Sequence, residues 1–275
     1  MKLLKRIFDF YIDASIHVAL SAFSMFWVSL YFLNISEPVS HLSYFVFFAT
    51  IPCYNFIKYG VEAKKYLIVA TQYHKNIQVL SIIALGIALY HAYFLEQRTL
   101  GTLLLLAVCS GLYAIPVLPG ARNLRSLGVF KIFIVAGVWA GVTVSVPALE
   151  GNIGLTWDVH METIQRFIMV LVLLIPFEVR DLAYDDLALK TIPQRFGVVF
   201  TNFWGGVLTL LFFFMTFLKD HITYIEVIAK GLLFLTLGII LMENKRKQKK
   251  YFASFWVESV PIFWAVGIAL MEYWY

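Results

Sequence analysis

The sequence predicts an all-α, polytopic membrane protein with nine transmembrane helices and a cytoplasmic N-terminus. Three observations predict this class. Apolar residues make up 61% of the 275-residue chain and only 14% are charged, with a mean hydropathy of +0.79, whereas soluble domains are closer to half apolar with about 25% charge. Nine apolar segments reach or approach the roughly 20 residues that a bilayer requires. The basic residues alternate between connections in step with those segments, as cytoplasmic loops demand.

The elements follow in order. The first apolar segment, 12–33, comes after a basic start, Met1-Lys2-Leu3-Leu4-Lys5-Arg6. It is long enough to span and shows no small-residue cleavage pattern, so it reads as a helix and not as a cleaved signal. Segment 41–57 is short. Segments 77–95 and 99–115 are joined by residues 96–98 alone, and 199–218 and 222–242 by residues 219–221, so each pair is expected to form an antiparallel hairpin. Segments 128–147, 163–180 and 252–274 complete the set, and nothing resembles a linker, so residues 1–275 are read as one domain.

Alternating the sides tests the count. The inner connections then hold Lys2, Lys5 and Arg6; Lys58, Lys64, Lys65 and Lys75; Arg122, Arg125 and Lys131; Arg180, Lys190 and Arg195; and the run Lys245 to Lys250. That is eighteen of the 22 Lys and Arg residues, and Arg98, Arg166, Lys219 and Lys230 fall outside. The formal charge of +5 is thus an orientation signal and no argument for nucleic acid; the 245–250 run suits anionic headgroups of the cell (cytoplasmic) membrane. Cys53 and Cys109 lie in apolar segments and read as small buried hydrophobes, with no disulfide or metal spacing. His17 and His91 lie within spans and are expected to pair with neighbours.

The densest polarity is the stretch FEVRDLAYDDLALKTIPQRFG, residues 177–197, directly after an uncharged apolar run. Asp181 and Asp185 are four residues apart and Glu178 three before, which puts them on one face if the helix continues. Acids so placed repel one another unless a cation lies between them, and an oxygen-only set suits Mg²⁺ with phosphate oxygens. Arg180 and Lys190 flank the acids, and Arg matches phosphate geometry. The bland alternative is a wet loop in which Arg180 and Asp181 form a surface ion pair of little worth. Asp186 points about 100° away from Asp185 and reads as solvated.

At these residues the chain resembles the UbiA superfamily of intramembrane prenyltransferases. Arg180-Asp181-Leu182-Ala183-Tyr184-Asp185, followed by Lys190-Thr191-Ile192-Pro193 and Gly197, resembles the family's second Asp-rich motif and its continuation. Tyr113-Ala114-Ile115-Pro116 resembles its Tyr-Ser-x-Pro segment, and Lys131 ahead of Trp139-Ala140-Gly141 resembles its lysine and Trp-Ala/Gly run. The resemblance implies helices around a central cavity open to the inner face. It also implies transfer of an isoprenoid chain from a prenyl diphosphate to a lipophilic, aromatic-type acceptor with Mg²⁺ as cofactor. By that reading Asp181, Asp185 and Glu178 hold the metal. Arg180, Lys190, Lys131 and Lys58 neutralise diphosphate, and Asn55 and Tyr113 orient it.

One part of the pattern is missing. The family's first Asp-rich motif falls on Tyr54-Asn55-Phe56-Ile57-Lys58-Tyr59-Gly60-Val61-Glu62-Ala63, where only Asn55 matches and Phe56, Tyr59 and Ala63 replace the acids. Three readings of that stretch stand open. Lys58 replaces a metal ion at the diphosphate; or the chain binds isoprenoid or lipid without turnover, since fold does not fix function; or Lys58, Lys64 and Lys65 follow the positive-inside rule alone. A small-solute transporter fits less well, because the acids lie at the rim and transporter sites lie near mid-bilayer.

Overall fold

The computed structural model describes residues 2–36, 39–60, 71–115, 128–186 and 189–274. The expectations for Glu62, Lys64, Lys65, Pro116, Arg122 and Arg125 lie outside these residues. Among the described residues all regular structure is helical. The elements are α1 (Lys2–Asp13), α2 (Ile16–Phe32), α3 (Ser40–Asn55), α4 (Gln72–Ala92), α5 (Gln97–Ala114), α6 (Phe130–Ala140), α7 (Trp157–Asp181), α8 (Ile192–Phe214), α9 (Tyr224–Glu243) and α10 (Val260–Trp274). Wide π turns extend three rods: Phe56–Gly60 after α3, Gly141–Ser145 after α6, and Phe252–Val257 ahead of α10.

Each expected apolar segment carries a rod, α2 to α10, displaced by a few residues at its ends. Five rods are long and apolar enough to cross a membrane by length and composition: α4, α6 with its extension to Glu150, α8 to Leu218, α9, and α10 counted from Phe252. The bent pair α1–α2 makes a sixth. Length and composition therefore do not carry the full count of nine.

The first segment also differs from the expectation. It is interrupted at Ser15, whose φ of 60° is left-handed, and α1 meets α2 at 55°. Leu3, Leu4 and Ile7 remain exposed on α1 beside Lys5 and Arg6, the pattern of a helix that lies in a membrane surface.

Packing makes a ring. α2 packs on α3 and α3 on α4; α5 packs on α6, α6 on α7, α7 on α8, α8 on α9 and α9 on α10; and α10 returns to α2. Few contacts join α4 to α5, so the hairpin expected there is splayed, while the α8–α9 hairpin is packed. The core gathers on α7, where Met169, Val172 and Val179 are fully enclosed. Ile82, Leu89, Val199, Phe203, Leu235 and Ile239 are each more than half exposed on the outside. An apolar exterior of this extent needs lipid to cover it, and the chain is a multi-pass membrane protein.

At the N-terminal end of α7 the structure changes the meaning of the expected outer cations. Arg166, Lys219 and Lys230 are buried, not solvated. Lys230 Nζ donates to Glu162 Oε2, Gln165 Oε1 and Glu226 Oε1, each at 2.7 Å. Lys219 Nζ reaches Glu226 Oε1 at 2.6 Å. Arg166 donates to the Met25 carbonyl and to the Thr143 and Ser29 hydroxyls and lies 3.5 Å from Glu162. A charge in an apolar interior is tolerable only when paired and hydrogen-bonded, and this network joins α2, α6, α7, α9 and the α8–α9 connection.

Candidate active site

At the other end of α7 two acids of the 177–197 stretch, Glu178 and Asp181, meet a cavity of about 250 Å³. Its walls come from α2 (Ser21, Met25), α3 (Cys53, Tyr54), α5 (Tyr113), α6 (Lys131, Trp139), α7 (Phe177, Glu178, Asp181) and the entry to α10 (Glu258). The long apolar face of α7 positions the acids. It buries Val172 and Val179 completely, which fixes the rotation of the helix and aims Glu178 inward.

The pairing within the cluster differs from the expected one. α7 ends at Asp181, and one further i→i+4 bond, Asp185 N to Asp181 O at 2.8 Å, turns the chain back. Lys131 Nζ lies between Glu178 Oε1 at 2.8 Å and Asp185 Oδ2 at 3.1 Å. The pair around a common cation is therefore Glu178 with Asp185, and the cation is the protein's own ammonium. Asp181 turns instead to Arg180, whose Nε and Nη2 donate at 2.7 and 3.2 Å. The guanidinium in turn lies over the Phe177 ring at 5.0 Å.

Among the described residues no group of three His, Cys, Asp or Glu side chains is placed to hold a metal ion by itself. What the site offers is one orphan: Glu178 Oε2 is buried without a hydrogen-bond partner. That matches the usual habit of Mg²⁺, which takes one or two carboxylates and fills the rest with water and substrate phosphate.

The tail of the motif builds the loop beneath. Thr191 N donates to Gln194 Oε1 at 2.9 Å, and Pro193 occupies the first turn of α8, where a missing N–H costs nothing. Gln194 Nε2 also donates to the Asp186 carbonyl at 3.2 Å, tying α8 to the acid loop. Lys190, at a left-handed φ of 52°, is exposed and does not line the cavity. Asp186 is exposed as expected.

Gly128 presses against this loop. Its φ is 62°, and a Cβ there would collide with the Leu189 backbone carbonyl. Gly128→Ala is expected to cost more than the roughly 1–2 kcal/mol of left-handed strain alone, because backbone must move. The Gly128 carbonyl accepts from Lys131 N, so the same change displaces Lys131. Lower thermal stability together with weaker binding of a diphosphate probe would register both effects.

The segment that stands at the first motif ties α3 to the end of α1. Asn55 Nδ2 donates to the Ala14 carbonyl at 3.1 Å, Lys58 Nζ to that of Ile12 at 3.2 Å and Tyr59 Oη to that of Asp13 at 3.1 Å. Three side chains thus bond three successive carbonyls at the end of α1, where a helix terminus leaves such groups short of partners; the Ile12 carbonyl also accepts from Ser15 N at 3.1 Å. Asn55 is saturated further by Ser15 and Ser81. Neither Asn55 nor Lys58 lines the cavity. Tyr113, Lys131, Glu178 and Asp181 do line it, and Arg180 pairs with Asp181.

Three features were missed or misread. Glu258 lies on the opposite wall; the signal for it was a lone carboxylate inside the last apolar segment. Cys53 is no buried filler but lines this cavity and a second, wholly different one. That second cavity is apolar, about 640 Å³, and sits where α4 and α5 splay. Tyr54 and Trp139 wall both spaces and are joined by Trp139 Nε1 donating to Tyr54 Oη at 2.8 Å. The histidines behave as expected: His17 pairs with Tyr11 and His91 with His41.

No family model matches the chain, and no curated protein matches it. A solved structure does. A digeranylgeranylglyceryl phosphate synthase, a UbiA-type intramembrane prenyltransferase, matches over 98% of both chains with a TM-score of 0.56 at 14% identity. At that identity the likeness is one of fold, and it runs the length of the molecule.

Proposed function

We propose that the chain transfers an isoprenoid group from a prenyl diphosphate to a lipophilic acceptor of aromatic type within the cell membrane. The observation that supports this reading most is the coincidence of polarity and enclosure. Lys131, with Glu178 and Asp181 beside it, lines a largely apolar cavity, and Arg180 pairs with Asp181, on the fold of a prenyltransferase. Lys131 and Arg180 would neutralise the diphosphate as it leaves; groups placed where charge develops are the strongest catalytic contribution a site can make. Tyr113 would orient it, and Lys190 would meet it from the rim. The apolar walls, and the 640 Å³ space beyond Tyr54 and Trp139, would hold the chain and keep water from the allylic centre.

Magnesium is proposed to arrive with the diphosphate rather than to reside in the protein. Glu178 offers the free oxygen, and Asp181 and Asp185 are the other candidate ligands. When bound, the ion would supply positive charge to the departing phosphate oxygens.

The test is purified protein in lipid nanodiscs with prenyl diphosphates of several lengths, lipophilic acceptors and Mg²⁺. Diphosphate release and prenylated product are measured. Turnover is expected, and Asp181→Asn and Asp185→Asn are each expected to lower it by about 100-fold or more. A second reading, a binder without turnover, is favoured by one observation: the acids are already neutralised internally. It predicts donor binding without product, and donor affinity that rises in Asp185→Asn, because Lys131 then has one anionic partner fewer.

A further inference from the structure

We infer that Glu258 is the acceptor-side carboxylate, the group that takes the proton the acceptor loses on prenyl transfer; this inference rests on the transferase reading above. Glu258 lines the same cavity as Lys131, Glu178 and Asp181 but enters it from a different element, the junction of the π turn Phe252–Val257 with α10. Among the described residues its carboxylate makes no ion pair or side-chain hydrogen bond. Lys58 and Arg180 are the cations near enough to act on it through space.

The chain holds this acid in place with buried polar groups. His17 Nε2, fully enclosed in α2, lies 3.1 Å from the Phe255 carbonyl and 3.1 Å from Ser259 Oγ, and its Nδ1 lies 2.7 Å from Tyr11 Oη. The His17 ring also stacks on Phe255 at 5.0 Å. Val257, Ser259 and Val260 around Glu258 are all buried. A turn pinned on both sides thus presents one unpaired acid to a cavity. An ionisable group so placed in a membrane protein is a functional site by default.

Its lack of an ion pair separates it from the diphosphate machinery. The leaving group carries several negative charges, and a bare carboxylate would repel it. The cations that would receive diphosphate, Lys131 and Arg180, form their ion pairs with Glu178, Asp185 and Asp181, and Arg180 acts on Glu258 only through space. The chemistry requires one more group. The C1–O bond of the prenyl diphosphate breaks, and its electron pair leaves on inorganic diphosphate. The acceptor's nucleophilic atom bonds to C1, and the proton it sheds must go to a base. Glu258 receives that proton and returns it to solvent.

The deciding measurement compares wild type with Glu258→Gln on three readouts: affinity for a prenyl diphosphate, diphosphate release without acceptor, and transfer to acceptor. Glu258→Gln is expected to leave the first two unchanged and to lower transfer by about 100-fold, the lower range for a general base. It is also expected to abolish the acidic limb of the pH profile. Glu258→Asp should keep that limb and recover part of the rate. Undiminished transfer in Glu258→Gln overturns the inference, as does an equal loss of donor binding, which would place Glu258 on the diphosphate side. If Glu258→Gln does not fold, Glu258→Asp decides: a slowed transfer with intact donor binding supports the inference, and wild-type transfer overturns it. Failure of wild type to bind or ionise any donor would instead remove the transferase reading, and this inference with it.

Discussion

Glu162→Gln is expected to destabilise the protein by about 3–5 kcal/mol, the usual cost of leaving a buried charge uncompensated. The change keeps the shape of the side chain, so the loss is electrostatic. The network at that end of α7 has three cations, Arg166, Lys219 and Lys230, against two carboxylates, Glu162 and Glu226. Its net charge is therefore +1, and Glu162→Gln raises it to +2. Lys230→Met lowers it to zero and should cost less, although it removes three hydrogen bonds of 2.7 Å. The double variant returns the network to +1 and should recover part of the Glu162→Gln loss. Denaturant unfolding in micelles, followed by tryptophan fluorescence, measures the cycle, and Trp264, whose ring lies 5.6 Å from the Arg166 guanidinium, is well placed to report. Equal losses in the two single variants, with no recovery in the double, would show that hydrogen bonds and not net charge set the stability there.

Lys131→Met should have the second largest effect and a distinct signature. It removes the ammonium from between Glu178 and Asp185 and leaves two carboxylates facing each other in a nearly enclosed site. Glu178 Oε2 already lacks a partner, so the repulsion has no local outlet, and donor binding should be lost. The same vacancy should draw in a divalent cation. Mg²⁺ is therefore expected to raise the thermal midpoint of Lys131→Met, by the linkage of binding to the folded state, and to leave ligand-free wild type unchanged. Thermal scans with Mg²⁺ and with chelator check this without any turnover. A Mg²⁺-dependent rise in ligand-free wild type would mean that the ion competes with Lys131 already, and that a resident metal site exists.

Much of the molecule was legible in one dimension. Hydropathy located nine rods to within a few residues, because in lipid a backbone must satisfy its own hydrogen bonds along an apolar length, and that length is a local property. The polar knot at 177–197 was legible for the same reason: seven charges after an apolar run stand out wherever they fold. The partners inside the knot were not. Asp181 and Asp185 share a spacing, but α7 stops at Asp181, and a single turn sends the two carboxylates to different cations.

Residue type is ambiguous where one chemistry serves two tasks. Asn55 and Lys58 suit a diphosphate, yet they equally suit the carbonyls at the end of α1, and the break at Ser15 that exposes those carbonyls has no apolar signature. Arg166, Lys219 and Lys230 looked like outer loop charges because hydropathy cannot tell a solvated lysine from one enclosed by two glutamates.

The amino-acid order alone thus determined the membrane, the helices and the place where charge gathers. Tertiary structure decided which charge answers which. Lys131 meets Asp185 across 54 residues and Lys230 meets Glu162 across 68. Such pairings depend on the rotation of each helix about its axis and on the closure of the ring from α10 to α2. Apolar length constrains neither of these, and together they set the electrostatics of the cavity.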